Sequence, residues 1–438
     1  MTDRWIVGDF TTGRLVTEIT SPGPGSSWEA SLTGGGAELE LIPSARLHKT
    51  VGELLRDKLG YRYYIAAINE QNMIEFAGPV TGCQLDSGSW RFSASSAWEY
   101  LDRRTLIPDG APGSNWFDIP APVVQTFRGT WRQIIAAIWN LELNRGYIGK
   151  PADEWRASTE LRVAWKDFFG SEREVAKGGQ YWADPPIIPV GSQTEGGGTH
   201  EWSIDCYDLD TIGEVLDQIN RRESGVEIQL QPVWLGEFPN GVICWQVVTG
   251  IDTSPHVIPS VDPWPLDVGA QASRVQVLEW RADGEKILTT ARVLAGRSAA
   301  SADAKPFIGW ANQRELGNGE IIGPEYPEMD VADTQHTSIT RLATANDRAR
   351  AMCMDGTAPA TSCEVTVQPG GALNPDLIRV GDLASLYGSP KHAFLPDGVQ
   401  RMRVLRKSRR GQATKMSLVG LRAPDLARYA TRWGNQGE

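Results

Sequence analysis

Histidine and cysteine side chains, which bind metals and transfer protons near neutral pH, are few and scattered in this chain of 438 residues. No two of the five histidines have the spacing that places two ligands on one helix face, and the five cysteines include no CxxC pair. We therefore expect neither a metal site nor another cofactor. The histidines are His48, His200, His256, His336 and His392, and the cysteines are Cys83, Cys206, Cys244, Cys353 and Cys363.

Two other patterns have residue types that catalysis uses. Residues 33–36 form a glycine run that could cradle a phosphate, but an alternating segment follows it instead of a helix, so we interpret it as a glycine turn. Asp283 with Glu285, and Glu325 with Glu328, are carboxylate pairs of the kind that glycosidases use. A chain with 54 acidic residues contains such local pairs by chance. The sequence therefore indicates a protein that is not an enzyme.

Positive charge is concentrated near the end of the chain. Residues 400–438 contain ten basic and two acidic residues, although the whole chain has a net charge of -11. Binding to single-stranded nucleic acid would require aromatic residues among the basic ones, and residues 401–410 contain none. We predict a strand with a basic outer face that contacts another subunit, and a solvated basic face remains the alternative. The candidate interface residues are Arg401, Arg403, Arg406, Arg409 and Arg410.

The composition is that of an ordinary globular protein, with 41% hydrophobic and 22% charged residues. The length predicts several domains. The 17 tryptophans are an unusually high number, and tryptophan is favoured both in cores and at subunit contacts. Because the first residues include no apolar segment of the signal-peptide type, we expect the chain to fold in a cytoplasm.

Short alternating segments at both ends of the chain predict β-strands. In residues 37–41, apolar and acidic residues alternate strictly, which is typical of a strand with one buried face. We predict a hairpin between residues 275–280 and 287–293, because Asp283-Gly284 is a favoured turn dipeptide. The other predicted strands are residues 5–9, 15–19, 28–32, 61–68, 73–80, 90–94, 226–234, 241–248, 363–367, 383–387, 401–405 and 415–419.

Helical patterns begin near residue 96 and recur as far as about residue 354. Apolar residues at helical spacing predict amphipathic helices near residues 131–139 and 209–219. Their capping boxes are Thr130 with Gln133 and Thr211 with Glu214. A short helix is predicted at residues 96–104, and residues 145–200 read as loops. A third long helix, near residues 337–354, is expected to bury Ile339, Leu342, Ala343, Ala349 and Met352.

Several stretches at the two ends of the chain match a single family. The chain resembles the minor tail proteins of actinobacteriophages that form the hub of a siphophage baseplate. The matching stretches cover about half of the chain, and the middle agrees only in the order of its helices and strands. They are residues 5–9, 12–14, 27–39, 97–104, 373–377, 380–383 and 401–419.

The resemblance implies a mainly β fold with some α, in which two tube-type β-barrel domains are joined by accessory domains. Three chains would form a ring that continues the tail tube. The domains implied are an N-terminal β-rich tube-type domain at 1–105, a mixed, loop-rich domain with amphipathic helices at 106–225, a β-rich accessory domain at 226–330, and a helix with a C-terminal β-rich tube-type domain at 331–438, which strands from 226–300 can complete.

The resemblance also implies a structural role in the virion, at the tail tip. The hub would cap the tail tube, anchor neighbouring proteins and form part of the channel through which DNA is ejected. Its partners would be further copies of the chain in a trimer, the distal tail protein, the tape measure protein, other tail-tip or fibre proteins and the passing DNA, with no stable membrane insertion. Because the sequence stops at Glu438, we expect no enzymatic or fibre extension.

Two other functions remain open from the sequence. The first is a tail protein that binds a host carbohydrate or receptor, in which aromatic residues such as Tyr61, Tyr63 and Tyr64 would line a groove. The second is a tail-associated glycan hydrolase that uses one of the carboxylate pairs.

Overall fold

The computed structural model describes most of the chain, and its core divides into two compact units. Unit 1 comprises Met1–Val257, Pro375–Gly381 and Arg406–Thr414, and unit 2 comprises Ile258–Asn374, Asp382–Leu405 and Lys415–Glu438. The described residues are 3–86, 88–106, 124–145, 187–188, 200–205, 208, 210–222, 225–260, 262–268, 274–285, 287–295, 306–316, 327–334, 342–356, 360–370, 373–388, 395–396 and 398–421.

The described elements are mostly strands, which confirms the prediction of a mainly β chain with some α. The helices are α1 (Arg46–Asp57), α2 (Trp98–Leu101), α3 (Trp131–Arg145), α4 (Ile212–Arg221) and α5 (Leu342–Asp355). The strands are β1 (Arg4–Asp9), β2 (Leu15–Ile19), β3 (Ser27–Ser31), β4 (Gly34–Leu41), β5 (Tyr63–Ile68), β6 (Ile74–Leu85), β7 (Trp90–Ser95), β8 (Val124–Gly129), β9 (Ile187–Ile188), β10 (His200–Asp205), β11 (Ile228–Leu235), β12 (Val242–Thr249), β13 (Trp264–Asp267), β14 (Val275–Asp283), β15 (Thr290–Leu294), β16 (Ile308–Asn312), β17 (Asp330–Asp333), β18 (Ala360–Val367), β19 (Leu383–Gly388), β20 (Gly398–Arg410) and β21 (Ala413–Gly420).

The main sheet of unit 1 is antiparallel and has the strand order β20-β3-β4-β7-β6-β5-β1-β2. Only residues 406–410 of β20 belong to this unit, and they pair with residues 27–31 of β3. The unit is therefore completed by residues that lie close to the C-terminal end of the chain.

Strand β5 is buried on both faces, as its uninterrupted apolar sequence predicts. Tyr64 and Ala66 face one hydrophobic cluster, and Ile65 and Ala67 face another. The first cluster includes residues of α3, α4 and the antiparallel pair β11–β12, and the second includes α1. The main sheet is thus a central layer with packed side chains on each side.

Both predicted capping boxes form. The Thr211 hydroxyl accepts from the Glu214 amide at 3.1 Å, and the Glu214 carboxylate accepts from the Thr211 amide at 2.8 Å. Thr130 and Gln133 make the equivalent pair of hydrogen bonds at 3.0 and 3.3 Å. These bonds satisfy amide groups that would otherwise lack partners in the first turn of each helix.

Unit 2 contains a sheet with the order β14-β18-β21-β20-β19-β13 and a smaller sheet with the order β16-β15-β17. Helix α5 packs on the smaller sheet through Ala345, Ala349 and Cys353. Gly309 permits this close packing, because a Cβ atom at that position would lie 2.3 Å from a backbone carbon of Ala345.

Three sequence-based predictions differ from the structure. The hairpin of residues 275–280 with 287–293 is wrong, because β14 pairs with β18 and β15 pairs with β16 and β17. The glycine turn is also wrong, since Gly34–Leu41 is a strand and the turn occupies residues 32–33. In α5, Leu342 and Ala343 are exposed and Ala349 is buried, whereas Ile339 lies outside the described residues. Helix α1 was not predicted.

The four-domain division and the closed barrels stay predictions, and most of the predicted loop segment 145–200 lies outside the described residues. Among the helices that the structure describes, none combines the length and apolar composition that crossing a membrane requires.

We expect Thr211→Ala to lower the free energy of unfolding by about 1 kcal/mol, because it removes the hydroxyl that accepts from the Glu214 amide and donates to the Glu214 carboxylate. Urea denaturation followed by tryptophan fluorescence measures the change. Thr50→Ala is the matched control, since Thr50 is exposed within α1 and its hydroxyl only bonds back to the Arg46 carbonyl at 3.1 Å. Equal effects of the two substitutions would contradict the capping role.

Candidate functional site

The basic strand β20 does not present all of its cations to solvent. Arg401, Arg406 and Arg410 are exposed, whereas Arg403 and Arg409 are buried, as is Lys407. The expectation that the basic residues share one outer face is therefore wrong. In residues 406–410, the strand alternation turns Lys407 and Arg409 towards the interior of unit 1.

Lys407 forms a buried ion pair with Glu75 of β6. Its ammonium Nζ donates to both carboxylate oxygens of Glu75, at 2.7 and 2.8 Å, and its side chain is 1% exposed. Nζ also lies 5.6 Å from the ring centroid of Trp28. A lysine is rarely buried so completely unless an opposite charge accompanies it.

Arg409 binds two acidic side chains from distant parts of unit 1. Its guanidinium donates to Asp3 Oδ1 at 2.5 Å, to Asp376 Oδ1, and to the Thr414 hydroxyl at 2.8 and 3.0 Å. The side chains of Arg409, Asp3 and Asp376 are all less than a tenth exposed. The guanidinium has donors in fixed directions, so it can hold several acceptors at once.

Asn69 connects Glu75, the partner of Lys407, with Asp376, a partner of Arg409. Its side-chain amide donates to Glu75 at 2.8 Å and to the Asp376 carbonyl at 3.1 Å. We call Asp3, Asn69, Glu75, Asp376, Lys407 and Arg409 the buried charge network. The network joins the chain start, the β5–β6 turn, the 375–381 segment and strand β20.

Burial opposes the charged forms of the lysine pair. It raises the pKa of the Glu75 carboxyl, and it lowers the pKa of the Lys407 ammonium, although the two groups attract each other. For Arg409, burial also opposes the charge, but Asp3 and Asp376 outweigh it and raise the pKa of the guanidinium. Because each charge is engaged by neighbours within unit 1, this arrangement is suited to joining chain segments.

A cavity of about 330 Å³ lies beside the network, and Lys407, Glu75 and Asp376 contribute to its wall. Its other walls come from the β3–β4 turn, the first residues of β6, the start of α2, strand β11 and residues 379–380. Trp98, Phe76 and Trp234 provide aromatic surface there. The volume is at the lower end of the range found for ligand-binding pockets.

The structure does not bring together the histidines, cysteines and carboxylate pairs that the sequence offered for catalysis or metal binding. His200 lies 3.1 Å from Asp252 and stacks on Trp131, and His48 accepts from the Ile42 amide. Asp283 caps a turn by accepting from the Glu285 amide at 2.9 Å. Within the described residues, no three histidine, cysteine or acidic side chains are grouped as metal ligands. Glu325, Cys206, His336 and His392 lie outside the described residues.

The tyrosines proposed for a sugar groove are packed side chains. Tyr63 and Tyr64 are buried in opposite clusters of the main sheet. Tyr61 donates a hydrogen bond to Glu99 at 2.9 Å, and burial together with this carboxylate raises its pKa to about 12. The only sequence signal for the charge network was the spacing of Lys407 and Arg409, which puts both on one strand face.

Comparison with known proteins gives matches among solved structures only: no family model and no curated protein matches the sequence. A prophage tail protein from Listeria monocytogenes is 10% identical with a TM-score of 0.46, and the alignment covers 99% of this chain and 100% of that chain. A prophage tail protein from Shewanella oneidensis is 12% identical with a TM-score of 0.47, covering 96% and 98%. A tail protein from Neisseria meningitidis is 12% identical with a TM-score of 0.46, covering 95% and 96%. The chain is thus similar in structure to phage tail proteins.

We expect Lys407→Met to destabilise the protein by about 3 to 5 kcal/mol at pH 8, because Glu75 then remains buried without its cation. The loss should be smaller near pH 5. Burial raises the folded-state pKa of Glu75, and we expect the loss of Lys407 to raise it further. The contribution of Glu75 to stability is therefore greatest below its unfolded pKa of 4.5, and it is lost as the pH rises through the folded-state pKa. Urea denaturation at the two pH values measures this difference.

The matched control is Glu75→Leu combined with Lys407→Met, which removes both charges. We expect this double variant to be more stable at pH 8 than Lys407→Met alone, since no unpaired charge is left in the interior. A single variant that is as stable as the wild type would contradict the structural role of the pair.

Proposed function

We propose that the chain is a structural tail-tip hub of a siphophage, which caps the tail tube and anchors the neighbouring tail-tip and fibre proteins. In this proposal the protein is a component of the virion and forms part of the channel through which DNA is ejected. It has no catalytic activity. The observation that supports the proposal best is that segments far apart in the sequence share unit 1. The stretches that resemble phage hub proteins lie at both ends, and residues 375–381 and 406–414 complete the unit formed by residues 1–257.

The buried charge network adds support, because it uses ionic side chains to fasten distant segments to one another. Arg409 reaches Asp3 at one end of the sequence and Asp376 near the other. A hub must carry mechanical connections between the tube and the proteins below it. An architecture in which ionic contacts bind distant segments into one unit is well suited to such a role.

The charge distribution agrees with a channel component. The net charge of -11 would repel DNA passing through a ring, so the DNA would not be held on the wall. In the proposed assembly, three copies form this ring, and the distal tail protein and the tape measure protein are its neighbours.

The exposed cations of β20 are the proposed contact with the adjacent copy. Arg406 lies 3.4 Å from Glu29, but both side chains are largely exposed, so this surface pair contributes little to stability. Arg401 and Arg410 are exposed as well. These three residues retain the predicted interface role, whereas Arg403 and Arg409 are buried and would support the strand from within.

We expect the purified chain to have three times the monomer mass by light scattering, or to form three-fold rings in electron micrographs of assembled tail tips. The triple variant Arg401→Glu, Arg406→Glu and Arg410→Glu should weaken the association by about tenfold or more, because like or mismatched charges would then meet at the contact. The control is Arg46→Glu, Lys49→Glu and Lys58→Glu, which reverses three exposed charges on and just after α1.

The two measurements test separate parts of the proposal, the trimeric hub and the basic strand as its interface. A trimer that the β20 variant leaves intact would reject the basic strand as the interface and keep the hub. A protein that stays monomeric and has no position on the tail axis would reject the hub itself.

A further inference from the structure

The wall of the cavity in unit 1 combines aromatic rings with uncharged polar groups. Trp234 is half-buried there, and Trp98 and Phe76 contribute further ring surface. Gln229 and Gln231 of β11 also line the cavity, and they bring side-chain amides to it. The hydroxyl-bearing residues of the wall are Ser31, Thr33 and Ser96. A bound molecule therefore meets both apolar rings and neutral hydrogen-bonding groups.

The charged residues of the wall leave it without a net charge. They are two cations, Lys407 and Arg379, and two anions, Glu75 and Asp376. Lys407 is paired with Glu75, and Asp376 is bound by Arg409. The Arg379 guanidinium is engaged as well, since it donates to a methionine sulfur at 3.4 Å. A charged ligand would find no opposite charge free to compensate for its desolvation, so the cavity favours a neutral one.

Hydrogen bonds fix the direction of the two amides. The Gln231 side-chain amide donates to Gln229 Oε1 at 2.6 Å, and the Gln229 side-chain amide donates to Glu227 Oε1 at 2.9 Å. An ionised carboxylate only accepts hydrogen bonds, so the donors run towards Glu227. Gln231 Oε1 stands at the other end of this chain, where it is accessible and accepts no hydrogen bond within the described part of the protein. A ligand that complements this wall therefore supplies a hydrogen-bond donor.

The indole of Trp234 is held in a fixed position. Its N–H donates to the Asn72 carbonyl at 3.2 Å, and its ring packs edge-on against Phe238, with the ring centroids 5.4 Å apart. Because the single donor of the indole is already used, Trp234 offers a bound molecule an apolar ring and no hydrogen bond. A ring that is already in place reduces the side-chain ordering that opposes binding.

We propose that this cavity binds one neutral sugar ring of a glycan. A pyranose carries C–H groups on the faces of its ring and hydroxyls around its edge, so it can lie against Trp234 while one hydroxyl donates to Gln231. A purely apolar molecule would bury the Gln231 acceptor without a donor, which is costly. The volume of about 330 Å³ suits a small ligand. The inference goes beyond the structural hub role, which requires no ligand.

The test is a glycan array probed with the labelled full chain, followed by isothermal titration with the simplest neutral glycan that binds. We expect Gln231→Leu, which keeps the approximate size of the side chain, to weaken the affinity by at least about tenfold, because the sugar hydroxyl loses its acceptor. Gln276→Leu is the matched control, since Gln276 is an exposed glutamine on strand β14 of unit 2, and it should bind like the wild type.

A second variant, Trp234→Leu, removes the ring and should also weaken binding by at least about tenfold. Thermal unfolding shows which variants are folded, so either one can carry the test if the other is unstable. The proposal is overturned if no neutral glycan binds the wild type, or if the folded variants bind the glycan as tightly as Gln276→Leu does. Binding confined to glycans with carboxylate or sulfate groups would also overturn it, because the wall has no net charge to select them.

Discussion

The desolvation of Lys407 and Arg409 is the constraint on which unit 1 depends. A cation without a counter-charge is costly to bury, so strand β20 can occupy its place against β3 only when Glu75, Asp3 and Asp376 are also in place. Hydrophobic packing tolerates many arrangements of similar volume, whereas ionic partners must meet with defined geometry. The network therefore acts as a check on the correct pairing of distant segments.

The cavity owes its shape to the same arrangement. Glu75 begins the wall on the β6 side, and Asp376 brings the 375–381 segment, with Arg379, to the rim. Were Lys407 absent, the carboxylate of Glu75 would lie beside this space without its cation. Hydrogen bonds from the Trp234 indole to the Asn72 carbonyl and from the Trp245 indole to the Ala77 carbonyl connect β11 and β12 to the β6 side of this space.

Elements with local signals were predictable from the sequence, and pairings between distant elements were not. Alternation identified β4, and the capping box at Thr211 located the start of α4, because both patterns act over a few residues. The Asp283-Gly284 turn signal failed because β14 finds a better partner in β18, far along the chain. For the candidate site, the sequence revealed the basic strand, but the acidic partners of Lys407 and Arg409 come from remote positions that no spacing rule connects.

The division of unit 1 along the sequence has a consequence for synthesis. Residues 1–257 leave the ribosome well before residues 406–414, so the edge strand and both buried cations are missing until that later segment has been made. Such long-range pairing makes folding slow and late. A chain interrupted before residue 406 lacks the residues that pair with β3, so it cannot complete unit 1. The order of synthesis thus ties the completion of unit 1 to the synthesis of residues 406–414.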